Sequence, residues 1–171
     1  MKQKFIDYFM SVAELTANLS HAKKLKVGSV IVKDDRIISC GYNGLPAGWN
    51  SNICEKVSFL SDAEYFNSTT EEKQKYTPID GIYFWKGLKT YDEVIHSEAN
   101  SISRLASSTE SGVGAIMFCT HSPCIQCSKI IYSAGIKTVY YKHEYRSTEG
   151  IKFLKMCGVE IIKYVDERAN V

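Results

Sequence analysis

The stretch GAIMFCTHSPCIQCSKIIYSAGIKTVYYK, residues 114–142, decides the fold because strand, turn, helix and strand signals follow one another in it. The stretch begins within GVGAIMFCT, residues 112–120, which predicts a strand. After it, CSKIIYSAG predicts a helix and KTVYYK predicts a second strand. A strand, a helix and a strand in this order are typical of a βαβ crossover, in which the two strands pair in parallel. The stretch therefore predicts an α/β fold.

The same alternation extends outward from this stretch. A helix is predicted before it in SEANSISRLAS, and a helix and a closing strand are predicted after it in TEGIKFLKMCG and VEIIKYV. Gly135 and Gly158 stand where two of these helices should end. Nearer the amino terminus, residues 3–19 have a helical period, and VGSVIV and RIISCGYN predict a hairpin. We predict one three-layer α/β/α domain over residues 1–171, with an aromatic-rich insertion at residues 50–93 that has no clear period.

Composition excludes several classes of function. The 171 residues are 44% hydrophobic, which suffices for one ordinary core, and the formal net charge of +2 is too weak to predict a nucleic-acid surface. The apolar runs are far shorter than the roughly 20 residues of a membrane span, and the charged start MKQKFIDYF lacks a signal-peptide core. Six scattered cysteines favour reduced thiols, so we expect a cytoplasmic protein, or one in the host cytoplasm if the source is a virus.

Cys124 and Cys127 can be interpreted as a redox pair, as half of a metal site, or as two buried apolar side chains. Their spacing places both on one face of a helix start, where the helix dipole favours thiolates for redox and metal chemistry alike. A third ligand near the two cysteines would distinguish a metal site from a redox pair. His96 opens the preceding predicted helix, and the crossover brings both helix starts to one edge of the sheet.

One imidazole and two thiolates suit a zinc ion and leave its fourth position for a water, whose acidity the metal increases. Glu98 follows His96 by two residues, so it can reach that water as a proton shuttle. The residues therefore favour one catalytic zinc over a structural zinc or plain core cysteines.

The elements H-S-E and P-C-I-Q-C resemble the His-x-Glu and Pro-Cys-x-x-Cys signature of the zinc-dependent nucleoside and nucleotide deaminases. Two longer stretches, VGSVIVKDDRIISCGYNGLPAG and EYRSTEGIKFLKMCGVEI, are similar to the deoxycytidylate (dCMP) deaminases. This resemblance implies a five-stranded mixed sheet of the cytidine deaminase type and hydrolysis of dCMP to dUMP and ammonia, which feeds thymidylate synthesis. It also implies a homo-oligomer, commonly a hexamer. The triphosphate dCTP, bound with Mg²⁺, would activate this assembly, and dTTP would inhibit it.

The resemblance also assigns roles to residues. His96, Cys124 and Cys127 would hold the zinc, and Glu98 would carry the proton. Asn43 would grip the sugar, although an N-G pair is equally read as a turn. The resemblance also implies an effector loop of Gly41, Tyr42 and Gly44, whose glycines equally suit ordinary turns.

A monophosphate substrate needs cations, and LSHAKKLKVGS offers a charge run between the first predicted helix and strand, although such a run is usually a solvated face. Among Ser20, Lys23, Lys24 and Lys26 we prefer Ser20 and Lys26 as substrate contacts, because they lie nearest the predicted helix end and strand entry. Tyr145 and Arg146 follow the strand after the P-C-I-Q-C helix, so they would project over the site unless they are a surface aromatic and a solvated arginine. His121 is more often a surface group than a ligand, but it is close enough to the metal loop to line the pocket.

Many members of this family hold a second, structural zinc, for which this chain offers only Cys54, so we expect one zinc. Two alternatives to dCMP deamination remain open. The chain could deaminate another cytosine or adenine substrate, or it could be a non-catalytic nucleotide sensor that keeps zinc to stabilise the fold.

Overall fold

A computed structural model describes residues 1–80 and 82–166. The helices are α1 Gln3–Ala17, α2 Asp62–Asn67, α3 Thr70–Lys73, α4 Ser97–Ala106, α5 Ile125–Ser133 and α6 Glu149–Met156. The strands are β1 Gly28–Lys33, β2 Arg36–Tyr42, β3 Glu55–Leu60, β4 Tyr76–Ile79, β5 Ile82–Thr90, β6 Ile116–His121, β7 Thr138–His143 and β8 Glu160–Lys163. Among the described helices, none is both long and apolar enough to cross a membrane.

The central sheet has five strands in the order β2-β1-β6-β7-β8. β1 pairs antiparallel with β2 and with β6, whereas β6, β7 and β8 are parallel. The two parallel connections run through α5 and α6, as the alternation of strand and helix signals predicted. The five-stranded mixed sheet expected from the sequence is therefore confirmed.

Helices cover both faces of this sheet because successive strand residues point to opposite sides. Val30 and Phe118 face α1, where they pack with Phe9, Met10 and other buried residues. Residues next to them in the strands, Ile31 and Met117, belong instead to a second buried cluster with side chains of α4, α5 and α6. Two apolar layers of this kind produce the α/β/α arrangement.

Glycines in a left-handed conformation terminate α5 and α6. Gly135 and Gly158 both have φ of 76°, a left-handed conformation that side chains with a Cβ disfavour. Each glycine follows the C-cap residue of its helix, so the chain turns there toward the next strand. α5 begins at Ile125, one residue after its N-cap residue Cys124, so Pro123 lies just before the helix.

The insertion that the sequence left unassigned contains a second, three-stranded sheet in the order β3-β5-β4. Both pairings are antiparallel, and α2 and α3 connect β3 to β4. Tyr65 of α2 stacks on Tyr83 of β5 with ring centres 3.6 Å apart. The insertion returns to the main domain where the Tyr91 N–H donates to the Cys54 carbonyl, at 2.9 Å.

Candidate metal and catalytic site

Two helix starts meet at the edge of the central sheet. His96 is the N-cap residue of α4, and Cys124 is the N-cap residue of α5, with Cys127 in the first turn that follows. An N-cap residue has extended backbone, and its side chain projects beside the free N–H groups of the helix. Accordingly, the Cys127 N–H donates to the Cys124 sulfur at 3.5 Å.

The side chains of His96, Cys124 and Cys127 converge with metal-binding geometry. Their ligand atoms all lie within 4.8 Å of one another, and His96 Nδ1 is 3.5 Å from each of the two sulfurs. A tetrahedral zinc with bonds of about 2.05 Å to nitrogen and about 2.3 Å to sulfur requires a nitrogen–sulfur separation of about 3.5 Å. The two nitrogen–sulfur separations therefore fit a zinc ion. Within residues 1–80 and 82–166, no other group of three or more His, Cys, Asp or Glu side chains comes together in this way.

The two thiols differ in their ionisation. A hydrogen bond from Cys127 is the main cause that lowers the pKa of Cys124 to about 3, and His96 adds to it. The same hydrogen bond, followed by burial, raises the pKa of Cys127. The hydrogen bond to Cys124 also raises the pKa of His96. Cys124 is thus the more acidic of the two thiols, and binding of a cation would displace the proton of Cys127.

Glu98 lies in the first turn of α4 and is only 4% exposed. The Ser97 hydroxyl donates a hydrogen bond to Glu98 Oε2 at 2.8 Å, which fixes the orientation of the carboxyl group. Burial raises the pKa of Glu98. A buried carboxyl group that holds a proton more readily than usual suits a proton shuttle.

A cavity of about 540 Å³ opens beside this cluster. Six segments contribute to its wall: the α1–β1 loop, the end of β2, the junction of the insertion with the main domain, the start of α4, the loop after β6 and the loop after β7. The lining residues are Lys24, Leu25, Val27, Asn43, Glu55, Lys89, Thr90, Tyr91, Asp92, Val94, His96, Ser97, Glu98, His121, Ser122, Cys124, Tyr145 and Arg146. The volume suits one small organic ligand.

Residues 3–143 match the family model described as the cytidine and deoxycytidylate deaminase zinc-binding region. The chain belongs to this family. It is therefore a zinc-dependent deaminase, and the cluster of His96, Cys124 and Cys127 is where a zinc ion fits.

Relatives of the deaminase include enzymes of phages and eukaryotes. It is 32% identical to the deoxycytidylate deaminase of Mycobacterium phage D29 over 81% of this chain and 94% of that protein. It is 30% identical to the deoxycytidylate deaminase of Schizosaccharomyces pombe over 96% of this chain, but it spans only 45% of that longer protein. The crystal structure of the dCMP deaminase of cyanophage S-TIM5 with dCMP and dUMP superposes with a TM-score of 0.75 and 37% identity, covering 96% of this chain and 99% of that one.

Three of the residues expected to contact the nucleotide line the cavity of the deaminase, namely Asn43, Tyr145 and Arg146. Asn43 Oδ1 accepts a hydrogen bond from the Val27 N–H at 2.8 Å, and its Nδ2 donates to the Leu25 carbonyl at 2.9 Å. The Arg146 guanidinium lies over the Tyr145 ring, 5.3 Å from its centre. Asn43 thus also holds the α1–β1 loop in place.

The other expected contacts do not line this cavity. Ser20 is 2% exposed, and its hydroxyl donates to the Asn43 carbonyl at 2.7 Å. Lys26 is exposed, and its Nζ is 3.5 Å from the Asn18 carbonyl. The predicted effector residues pack against neighbouring elements: Gly41 against the backbone of α4, Tyr42 against Arg104, and Gly44 through a bridge to Ile95.

Several lining residues were missed from the sequence. Lys24 lines the cavity, although Lys26 of the same charge run was preferred from the sequence. The α1–β1 loop has no hydrophobic period, so its sequence does not indicate which side chain points toward the cavity. Glu55, Lys89 and Tyr91 belong to the unassigned insertion or its end, so nothing in the sequence connected them to the zinc ligands. His121 was expected to lie close to the metal loop, and it lines the cavity; burial, then His143, lowers its pKa.

Proposed function

We propose that this chain hydrolyses dCMP to dUMP and ammonia. The main support is the similarity to the cyanophage S-TIM5 enzyme, whose crystal structure contains both dCMP and dUMP. This similarity covers 99% of that enzyme. The phage D29 relative, which is covered almost completely, bears the same name. A cavity of about 540 Å³ is also large enough for a mononucleotide.

Zinc, when bound, supplies an activated water for attack on C4 of cytosine. His96, Cys124 and Cys127 would hold this ion. Glu98 takes one proton from the attacking water and delivers it to the ring nitrogen N3. It then takes the remaining proton from the new hydroxyl group on C4 and delivers it to the amine, which leaves as ammonia while the C4–N bond breaks and the C4 carbonyl forms. Its hydrogen bond from Ser97 keeps the carboxyl group oriented during both transfers. The balance is one water consumed and one ammonia released for each dCMP.

The nucleotide would be held by its sugar and its phosphate. Asn43 at the cavity wall suits the sugar, and Arg146 with Tyr145 suits the 5′-phosphate, because a guanidinium pairs well with phosphate oxygens. Ser20 and Lys26, on the neighbouring α1–β1 loop, remain proposed phosphate contacts that a substrate-induced movement of the loop would have to bring to the cavity.

Glu98→Gln tests the activity because it keeps the size of the side chain but cannot accept the proton. We expect kcat for dCMP to fall by about 10²–10⁴-fold with zinc content unchanged. Glu93→Gln, at an exposed carboxylate five residues earlier, is the matched control and should retain wild-type turnover. Undiminished turnover of Glu98→Gln would refute this role, and a zinc-loaded wild-type protein that fails to convert dCMP would refute the proposed substrate.

Regulation is a further part of the proposal. The resemblance of VGSVIVKDDRIISCGYNGLPAG to the dCMP deaminases supports a hexamer that dCTP with Mg²⁺ activates and dTTP inhibits, with Gly41, Tyr42 and Gly44 in the effector loop. The product dUMP would then feed thymidylate synthesis. Initial rates at low dCMP with each triphosphate, together with sedimentation of the protein, test this regulation: equal rates and a monomer would exclude it.

A further inference from the structure

We infer that Glu55 is a positioning residue that couples the insertion to the α1–β1 loop and so presents Lys24 and Lys89 to the substrate phosphate. This inference rests on the proposed function, because it concerns recognition of a phosphorylated substrate. Glu55 itself does not contact the reacting atoms. It acts through the two lysines, which come from separate segments of the cavity wall.

The first half of the coupling is a buried carboxylate. Glu55 is 6% exposed, and its Oε1 accepts hydrogen bonds from the backbone N–H groups of Lys23 at 3.1 Å and Lys24 at 3.2 Å. Its Oε2 lies 3.2 Å from the same Lys23 N–H. Hydrogen bonds to an ionised acceptor are stronger than neutral ones, and removal of a buried acceptor leaves its donors unsatisfied. The backbone of Lys24 is therefore fixed by a residue 31 positions away.

The second half is the strand pairing of the insertion. Glu55 is the first residue of β3 and pairs with Thr90 of β5, and the next pair joins Lys56 to Lys89. The hydrogen bond from the Tyr91 N–H to the Cys54 carbonyl closes the same end of the ladder. Displacement of Glu55 would therefore move the backbone that carries Lys89.

Charge explains why the two lysines can take a phosphate. The Glu55 carboxylate is engaged by backbone N–H groups, and within the part of the chain that the structure describes neither Lys24 nor Lys89 forms an ion pair. Both side chains are exposed and line the cavity that also contains Arg146. Two ammonium groups without an ion pair, in the wall of the same cavity as a guanidinium, complement the two negative charges of a 5′-phosphate.

Glu55→Gln tests the coupling because it removes the charge and keeps the reach of the side chain. A phosphate contact stabilises substrate and transition state alike, so its loss should raise KM for dCMP by about 5- to 20-fold and leave kcat within about 2-fold. Glu71→Gln is the matched control, since Glu71 is an exposed carboxylate of the same insertion. A fall in kcat, or a loss of zinc from Glu55→Gln, would show a structural role only and would overturn the inference.

Lys24→Ala and Lys89→Ala keep the inference testable even if Glu55→Gln fails to fold, because both side chains are exposed. Each should raise KM for dCMP by about 3- to 10-fold. In the double variant with Glu55→Gln, Lys24→Ala should raise KM by a smaller factor than it does alone, since both changes weaken the same phosphate contact. Normal turnover with unchanged KM in every variant would overturn the inference and leave dCMP deamination intact. A wild-type protein inactive on dCMP would refute the proposed function and this inference with it.

Discussion

Substitution of Gly41 by alanine should disable the enzyme through the position of α4, without any change in a side chain of the site. A Cβ at residue 41 would lie 2.4 Å from the Ser101 nitrogen and 2.4 Å from the Ser97 carbonyl oxygen, both backbone atoms of α4. Ordinary contact begins at 3.4 Å, so the helix must move away from β2 by about 1 Å. Because Ser97 adjoins Glu98, that displacement reaches the proton shuttle directly.

The magnitude follows from this shift. A misplacement of about 1 Å costs about 100-fold in rate, which corresponds to about 2.7 kcal/mol of transition-state stabilisation. Overpacking should also destabilise the fold by about 1–3 kcal/mol, so that Tm falls by about 2–12 °C. The assay is kcat/KM for dCMP with the zinc-loaded protein and no triphosphate present, together with a thermal melt.

Gly44→Ala, three residues later and just after β2, is the matched control. Its added Cβ would meet only the Tyr42 ring, at 3.8 and 3.9 Å, which is ordinary contact. We expect this variant to keep the kcat/KM and Tm of the wild type in the absence of effectors. Wild-type kcat/KM in Gly41→Ala, or an equal loss in Gly44→Ala, would refute the steric argument.

Three further outcomes are expected. Removal of zinc by a chelator should abolish turnover and lower Tm, because ligand binding to the folded state adds to its stability; restored Zn²⁺ should recover both, and an unchanged Tm would contradict the site. Phe9→Ala should cost about 3–5 kcal/mol in the free energy of unfolding, since Phe9 is 2% exposed and its ring centre lies 5.4 Å from that of Phe118; a loss below about 1 kcal/mol in denaturant melts would argue against this packing. Asn43→Ala should raise KM for dCMP more than Asn43→Asp, because only aspartate keeps an acceptor for the Val27 N–H; equal KM values would show that this hydrogen bond does not shape the cavity.

The zinc ligands could be predicted from the sequence because each depends on a short-range signal. Cys124 and Cys127 share a helix start by spacing alone, and the strand and helix that separate them from His96 have clear periods. Once a βαβ crossover is recognised, its helix starts must lie at one edge of the sheet. The parallel pairing of β6, β7 and β8 and the two-sided core follow from the same periods.

The insertion and the nucleotide contacts could not be predicted because their signals are tertiary. Strand β3 carries a register shift between Val57 and Phe59, and Phe59 is 65% exposed, so the alternation that marks a half-buried strand is missing. Ser20 was preferred for its position after α1, but its hydroxyl is used by the Asn43 carbonyl. Which of Lys24 and Lys26 lines the cavity depends on Glu55, which lies in the unassigned insertion.

The pairing of β1 with β6 also bears on how the chain folds. Ser29 is opposite Cys119, a residue 90 positions later, and the insertion lies within the chain that this contact closes. Pairings over such a distance form slowly, and unpaired apolar strands are prone to aggregate in the meantime. During synthesis on a ribosome, one edge of β1 would remain unpaired until β6 emerges. Recombinant yield should therefore depend on growth temperature and chaperone supply more than on the stability of the finished enzyme.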